Sequence, residues 1–435
     1  MITDIFKIKG LGGKKNLVGE IAVGGAKNAA LKAMVSTVLF SDQVTLKNVP
    51  DIEDIRRIAE LLGDIGMEVE KKDKNSYNIT PKKEIQNVLS PAIAKKIRSS
   101  IVFTGPILSR TGKVSFPHPG GCVIGARPID LFLESFQQMG ATVTEKNEMY
   151  VIEAEGGRLK GATIFLPIPS VTVTETLLMA GVLAKGVTVI KNAAMEPEIE
   201  NLAEFLNECG ADIKGAGTPT VTIKGRDGKL LKAAGVSYVT IPDRIEAGSF
   251  LILAALAGKD VTVTKCNPLH VEALVDTLRR AGVDVEVGKT TLRIVRDEAK
   301  NKKTFHAVNL KTHEYPGFPT DLQAPMTVFL TQAQGASMVH ETIFEGRLGY
   351  AESLEGMGAE ITPMDPHRML VKGATPLHGK TLESPDLRAG LAFVLAAIIA
   401  KGESSVHNIY NIDRGYESVE KRLQAIGVDI TRESL

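Results

Sequence analysis

The stretch Glu272 to Val285, EALVDTLRRAGVDV, decides the architecture: a helix-like segment stops at Gly282, and Val283-Asp284-Val285 alternates as a strand does. The same ending, glycine followed by a small or apolar residue, a polar one and Val or Ile, occurs six times, at Gly66, Gly140, Gly210, Gly282, Gly358 and Gly427. The intervals of 74, 70, 72, 76 and 69 residues divide the whole chain into six similar units. Each glycine suits the position just beyond a helix end, where a left-handed backbone closes the last turn cheaply. Upstream of each lies a strand-like segment, such as Val44-Thr45-Leu46, Val187-Thr188-Val189 or Val261-Thr262-Val263. Before that segment a more apolar helix is expected, clearest in Ser249 to Ala257 and in Ala389 to Ala400, and segments such as Tyr77 to Thr80 supply a further strand. The unit is therefore helix, strand, helix, strand, and the fold class is α/β.

At 435 residues, with 43% hydrophobic and 24% charged side chains, the chain has ample material for a core and is neither disordered nor fibrous. Six units form one ring or two groups of three. The Gly- and Lys-rich stretch from Gly225 to Gly235, poor in large apolar residues, falls between the third and fourth units and reads as a crossover. Two lobes are expected: residues 22–240 with three repeats, and residues 1–21 with 241–435 forming the second, closed by the N-terminal segment. A cleft between lobes is a natural place for a ligand.

Fifty-two Lys and Arg against 51 Asp and Glu leave a net charge of +1, so no global field points to nucleic acid or an anionic membrane. Any grip on an anion must be local. Three cysteines without a CxxC pair exclude a disulfide framework or zinc knuckle, and eight histidines without an HxH or HxxxH pair give a metal no support. The N-terminus lacks the pattern of a signal peptide, and the longest uncharged apolar run is too short to span a bilayer, so a mature cytoplasmic protein is expected. No GxxxxGK[ST] loop, dinucleotide fingerprint or GxSxG elbow is present.

Comparing equivalent slots across the units is informative. At the start of the apolar helix they hold Lys27, Arg98, Val171-Thr172, Arg244, Asp321 and Arg388. Four of six are basic, which opposes the helix dipole unless an anion or carboxylate repays the cost. Asp243 beside Arg244 and Asp386 near Arg388 are possible partners. Lys27, in Gly24-Gly25-Ala26-Lys27-Asn28, has no acid beside it and has glycines that let backbone approach a ligand. Arg127, Arg347 and Arg414 precede the second helix of their units. Gathered at one cleft, these guanidinium groups would hold a ligand rich in phosphate and carboxylate.

Two further residues stand out. For Cys122, in the run from Pro119-Gly120-Gly121-Cys122 to Arg127, the two preceding glycines predict a mobile loop, and the cation five residues on would favour a reactive thiol. Cys209 and Cys266 read instead as buried structural thiols. Asp321 is the one acid in a basic slot, where either it or Thr320 caps the helix, or Asp321 serves as a general base.

Five runs together resemble the enolpyruvyl transferase family, and within it the bacterial members that use UDP-N-acetylglucosamine. They are Gly25 to Ala30, Pro119 to Leu131, Pro242 to Glu246, Phe318 to Asp321 and Ile412 to Glu417. The resemblance covers essentially the whole chain. It implies a two-lobed, inside-out α/β barrel of six repeated units. It also implies transfer of the enolpyruvyl group of phosphoenolpyruvate to the 3-hydroxyl of UDP-N-acetylglucosamine with release of phosphate, the first committed step of peptidoglycan synthesis, without a cofactor. By motif, Lys27, Arg98, Arg127 and Arg414 would hold phosphoenolpyruvate, with Arg388 nearby. Cys122 would donate a proton or help release product, and Asp321 would take the proton of the sugar hydroxyl. Asn28, Arg127, Pro128, Asp130, Leu131, Ser170, Val171 and Ile343 would line the nucleotide-sugar site.

Departures from the family pattern are Thr172-Val173-Thr174 after Ser170-Val171, Ile168 where some relatives have Lys, and His118 ahead of the cysteine loop. Two alternatives remain open. A sister enzyme acting on shikimate 3-phosphate shares the chemistry without needing the cysteine loop, and a non-catalytic sensor would bind a nucleotide sugar and turn nothing over.

Overall fold

The six signature glycines all have positive φ, between 82° and 107°, and each stands one residue past the C-cap of a helix. At Gly210 the motif is complete: its N–H reaches the Asn207 carbonyl at 3.0 Å, and the Ala211 N–H reaches Leu206 at 2.9 Å. The paired bonds satisfy carbonyls that a helix end otherwise leaves orphaned. A strand follows directly after Gly66 and Gly140, but only at Ile213–Lys214 after Gly210 and at Glu286–Val287 after Gly282, so Val283-Asp284-Val285 is a connection to the strand and not the strand itself. These features come from a computed structural model that describes residues 4–118, 129–296 and 304–434.

Among the described residues there are six small sheets of closely similar plan. In five of them an edge strand runs parallel to a central one, and antiparallel strands follow. Thus Thr163–Phe165 lies parallel to Val187–Lys191, which pairs antiparallel with Thr220–Lys224, itself bordered by Ile213–Lys214. Gly258–Thr264 receives Leu17–Ala22 as its parallel edge and Thr291–Val295 as its antiparallel neighbour. The sixth sheet, of Lys113–Pro117, Met149–Ala154 and Ala141–Lys146, is wholly antiparallel, with a single parallel bridge from Val88 to Ser115.

Two kinds of helix accompany the sheets. Glu53–Asp64 and Glu272–Arg280 have one apolar face and a charged opposite face. Leu387–Ile399 and Arg244–Ala257 are buried almost all round, as their near-continuous apolar sequences require.

Packing divides the chain into two compact units. One contains residues 25–118 and 129–241. The other contains residues 4–24, 242–296 and 304–434. Each has its own apolar core. In the first, the apolar helices Lys27–Ser36, Thr104–Thr111 and Val171–Leu183 supply much of the interior. In the second, Arg244–Ala257, Gln323–Leu330 and Leu387–Ile399 do so. The glycine-rich stretch 225–235 stays within the first unit, where Leu231 bridges Phe40 and Ser237–Val239 then pairs with Val44–Lys47. The N-terminal strands Asp4–Lys9 and Leu17–Ala22 complete two sheets of the second unit. No helix among the described residues is long and apolar enough to cross a membrane.

Candidate functional site

Every slot singled out at an apolar helix start occupies a first turn. Lys27, Arg98, Val171 and Arg244 are the first residues of their helices, and Asp321 and Arg388 the second of theirs. In the second unit the slots are linked by charge. Arg388 donates through Nε to Oδ2 of Asp321 at 3.0 Å, with its Nη2 2.9 Å from the same oxygen, and Arg347 donates through Nη2 to Oδ1 at 2.8 Å. Burial alone would raise the Asp321 carboxyl, yet the charges of Arg388, Arg347 and Arg244 hold it well below the usual carboxylate range. Arg388 is desolvated too, but Tyr416 and Asp321 keep it firmly protonated, and its Nη1 donates to the Tyr416 hydroxyl at 2.9 Å.

Asp386 is not the partner of the Arg388 guanidinium. It accepts the backbone N–H groups of Arg388 and Ala389 as the N-cap, and Asp243 does the same for Ile245 and Glu246. Asp321 and Thr320 take no capping role, because both side chains are engaged elsewhere. Arg347, absent from the motif-derived set of site residues, is as deeply placed as Arg388, with 4% of its side chain exposed against 6%. Its only sequence signal is its position before the second helix of its unit.

In the first unit Lys27 is not without an acid. Asp54, from the neighbouring helix Glu53–Asp64, places Oδ2 2.7 Å from its Nζ, a tertiary contact that the local sequence hides. Gly25 serves packing, since a Cβ there would fall 1.8 Å from the Asn48 carbonyl oxygen. Asn28 follows Lys27 in the first turn. Ser170 caps the helix Val171–Leu183 by accepting the Val173 N–H at 3.4 Å. Asp130 and Leu131 open the helix Asp130–Gln138, whose N-terminus a carboxylate suits electrostatically. Cys122, Arg127 and Pro128 lie outside the described residues. His118, just before them, pairs with Glu145 at 2.8 Å and packs on the Tyr150 ring.

A second buried pair was not foreseen. Lys32 and Glu175 meet at 3.0 Å, joining the helix headed by Lys27 to the helix headed by Val171. Burial pushes the Glu175 carboxyl up to about 7, against the pull of Lys32, with Glu198 and Glu196 adding to the rise.

Arg414 and Ile343 sit in the second unit, at the end of the short helix Tyr410–Asp413 and in the loop after Gly335–His340. Cys209 and Cys266 are buried, and burial raises both thiols, as inert structural cysteines require. Among the described residues no group of His, Cys, Asp and Glu is arranged to hold a metal ion.

Each unit thus carries cationic groups at helix starts, Lys27 and Arg98 in the first and Arg244 and Arg388 in the second. The sequence pattern of EPSP synthase (3-phosphoshikimate 1-carboxyvinyltransferase) matches residues 11–423, and the chain belongs to this family of enolpyruvyl transferases. The relatives narrow the class. One from Desulforapulum autotrophicum is 42% identical over 98% of this chain and 99% of its own length. Another from Magnetococcus marinus is 43% identical over 97% and 98%. Both bear the name UDP-N-acetylglucosamine 1-carboxyvinyltransferase. In overall fold the chain is similar to the enolpyruvyl transferase NikO from Streptomyces tendae, with a TM-score of 0.87 at 23% identity and full coverage of both chains. It is also similar to EPSP synthase from Acinetobacter baumannii, with a TM-score of 0.72 at 19% identity over 99% of this chain and all of the other.

Proposed function

We propose that this protein transfers the enolpyruvyl group of phosphoenolpyruvate to the 3-hydroxyl of UDP-N-acetylglucosamine and releases phosphate, in the cytoplasm, as the committed step of peptidoglycan synthesis. The observation that carries this reading is the identity above 40% along nearly the full length with relatives of that one name. The fold reading that accompanies it is a two-lobed, inside-out α/β barrel with three repeats in each lobe.

In this reading Lys27, Arg98, Arg127, Arg388 and Arg414 neutralise the phosphate and carboxylate of phosphoenolpyruvate. Asn28, Arg127, Pro128, Asp130, Leu131, Ser170, Val171 and Ile343 take the nucleotide sugar. The sugar oxygen adds to C2 of phosphoenolpyruvate while C3 gains a proton, and phosphate then leaves from C2 as C3 loses one. Cys122 serves the proton at C3 or the release of product. Asp321 takes the proton of the sugar hydroxyl. A carboxylate gripped by two guanidinium groups is a weak base. An incoming anion that draws Arg388 toward itself would free Asp321 to accept the proton, so base strength would follow substrate binding.

Shikimate 3-phosphate, the acceptor of the sister enzymes, is the alternative to exclude. Incubation with phosphoenolpyruvate and each acceptor in turn tests this. Phosphate release with UDP-N-acetylglucosamine supports the proposal, and release with shikimate 3-phosphate alone refutes it.

A further inference from the structure

Glu341 is a fully buried carboxylate for which the proposed chemistry has no use. Both of its oxygens are occupied. Oε1 accepts the backbone N–H groups of Ile343 at 2.8 Å and Phe344 at 3.2 Å. Oε2 accepts the Thr320 hydroxyl at 2.8 Å. The oxygen of that hydroxyl accepts Nη1 of Arg347 at 2.9 Å, and the other arm of the same guanidinium holds Asp321. The backbone of Glu341 is pinned as well: its N–H donates to the His367 carbonyl at 2.8 Å, and its own carbonyl lies 2.9 Å from His367 Nδ1.

We infer that Glu341 is a positioning residue that fastens the loop carrying Ile343 to the Thr320–Asp321 turn, so that the acceptor sugar and the group that deprotonates it are held in one register. The inference rests on the proposed roles of Ile343 and Asp321. A neutral residue of similar size could fill the space, but only an ionised carboxylate accepts all three donors at once. Hydrogen bonds to a charged group contribute more than neutral ones, so the loop and the turn are held more tightly than backbone contacts alone would hold them. Arg347 spans Thr320 and Asp321 with the two arms of its fork, which makes the orientation of Asp321 depend on the hydroxyl that Glu341 orients. A displacement of about 1 Å at the reacting groups suffices for losses near 100-fold.

Two variants separate the two ends of this link. Thr320→Val cuts the connection to Arg347 and leaves the Ile343 loop fastened, so kcat should fall about 10- to 100-fold with little change in KM for UDP-N-acetylglucosamine. Glu341→Ala releases both ends, so kcat should fall similarly and KM for the nucleotide sugar should also rise, roughly 10-fold, with KM for phosphoenolpyruvate within about twofold of wild type. Glu341→Gln keeps an oxygen for the loop amides and should restore the acceptor KM more than kcat. It also serves where the alanine variant does not fold. Wild-type protein that turns over neither acceptor overturns the functional reading. Wild-type turnover with Thr320→Val normal in kcat, with Glu341→Ala normal in acceptor KM, or, where that variant does not fold, with Glu341→Gln normal in kcat, overturns this inference alone.

Discussion

Replacing Lys32 by Met should destabilise the protein in a pH-dependent way. The substitution roughly preserves side-chain length but removes the cation 3.0 Å from Glu175, in a pair whose side chains are 6% and 0% exposed. Breaking a buried pair from one side typically costs about 3–5 kcal/mol, because the remaining charge has no compensation. At about 2–4 °C per kcal/mol for a unit near 200 residues, the melting temperature at pH 8 should fall by roughly 6–20 °C. Glu198 and Glu196 add like charge and deepen the loss.

The sign of the pH effect follows from the carboxyl. Its folded value, about 7, lies above its unfolded value of 4.5, so the folded protein binds the extra proton between those limits. Stability therefore declines as pH rises from about 4.5 to 7, by up to about 3 kcal/mol for the isolated group. In the variant Glu175 loses the attraction of Lys32 and protonates still more readily, so the deficit should shrink to less than half at pH 5. Adding Glu175→Leu removes the stranded charge and should recover most of the loss at pH 8. The chain has no tryptophan, so the melt is followed by circular dichroism at both pH values. A Lys32→Met protein that melts within about 2 °C of wild type at pH 8, or equally far below it at pH 5 and pH 8, refutes this reasoning.

Other perturbations have equally definite outcomes. Asp321→Asn should reduce phosphate release by roughly 100-fold or more, as loss of a general base does. It should also abolish one acid-limb stability change: a carboxyl lowered on folding stabilises above its unfolded value near 4 and loses that contribution as pH falls, so wild type but not the variant should show it in acid melts. Gly25→Ala places a methyl group against the Asn48 carbonyl, and both melting temperature and activity should drop because Lys27 lies two residues on. The epoxide fosfomycin, with the nucleotide sugar present, should alkylate Cys122 and spare Cys122→Asp, and an unmodified wild-type mass would contradict the assigned reactivity.

The repeating helix ends were legible in the sequence because one residue type answers one backbone demand. Gly66, Gly140, Gly210, Gly282, Gly358 and Gly427 all adopt the positive φ that their positions in the repeat imply. The helix starts were legible for a related reason, since equivalent slots can be compared across units. Partners were not. Asp54 reaches Lys27 from another helix, Asp321 takes Arg388 from 67 residues away, and Glu175 takes Lys32 from beyond a hundred. Such pairs depend on tertiary packing, which no local spacing encodes. Asp386, the acid that sequence proximity suggested for Arg388, instead caps the helix beside it.

Which bond of phosphoenolpyruvate breaks tests the central claim most directly. With heavy oxygen in the bridge between carbon and phosphorus, enolpyruvyl transfer to UDP-N-acetylglucosamine cleaves the C–O bond. The label should then leave entirely in inorganic phosphate, while the nucleotide sugar gains the three-carbon acid. Label retained on pyruvate, with the nucleotide sugar unchanged in mass, would mean simple phosphate hydrolysis and would contradict the account.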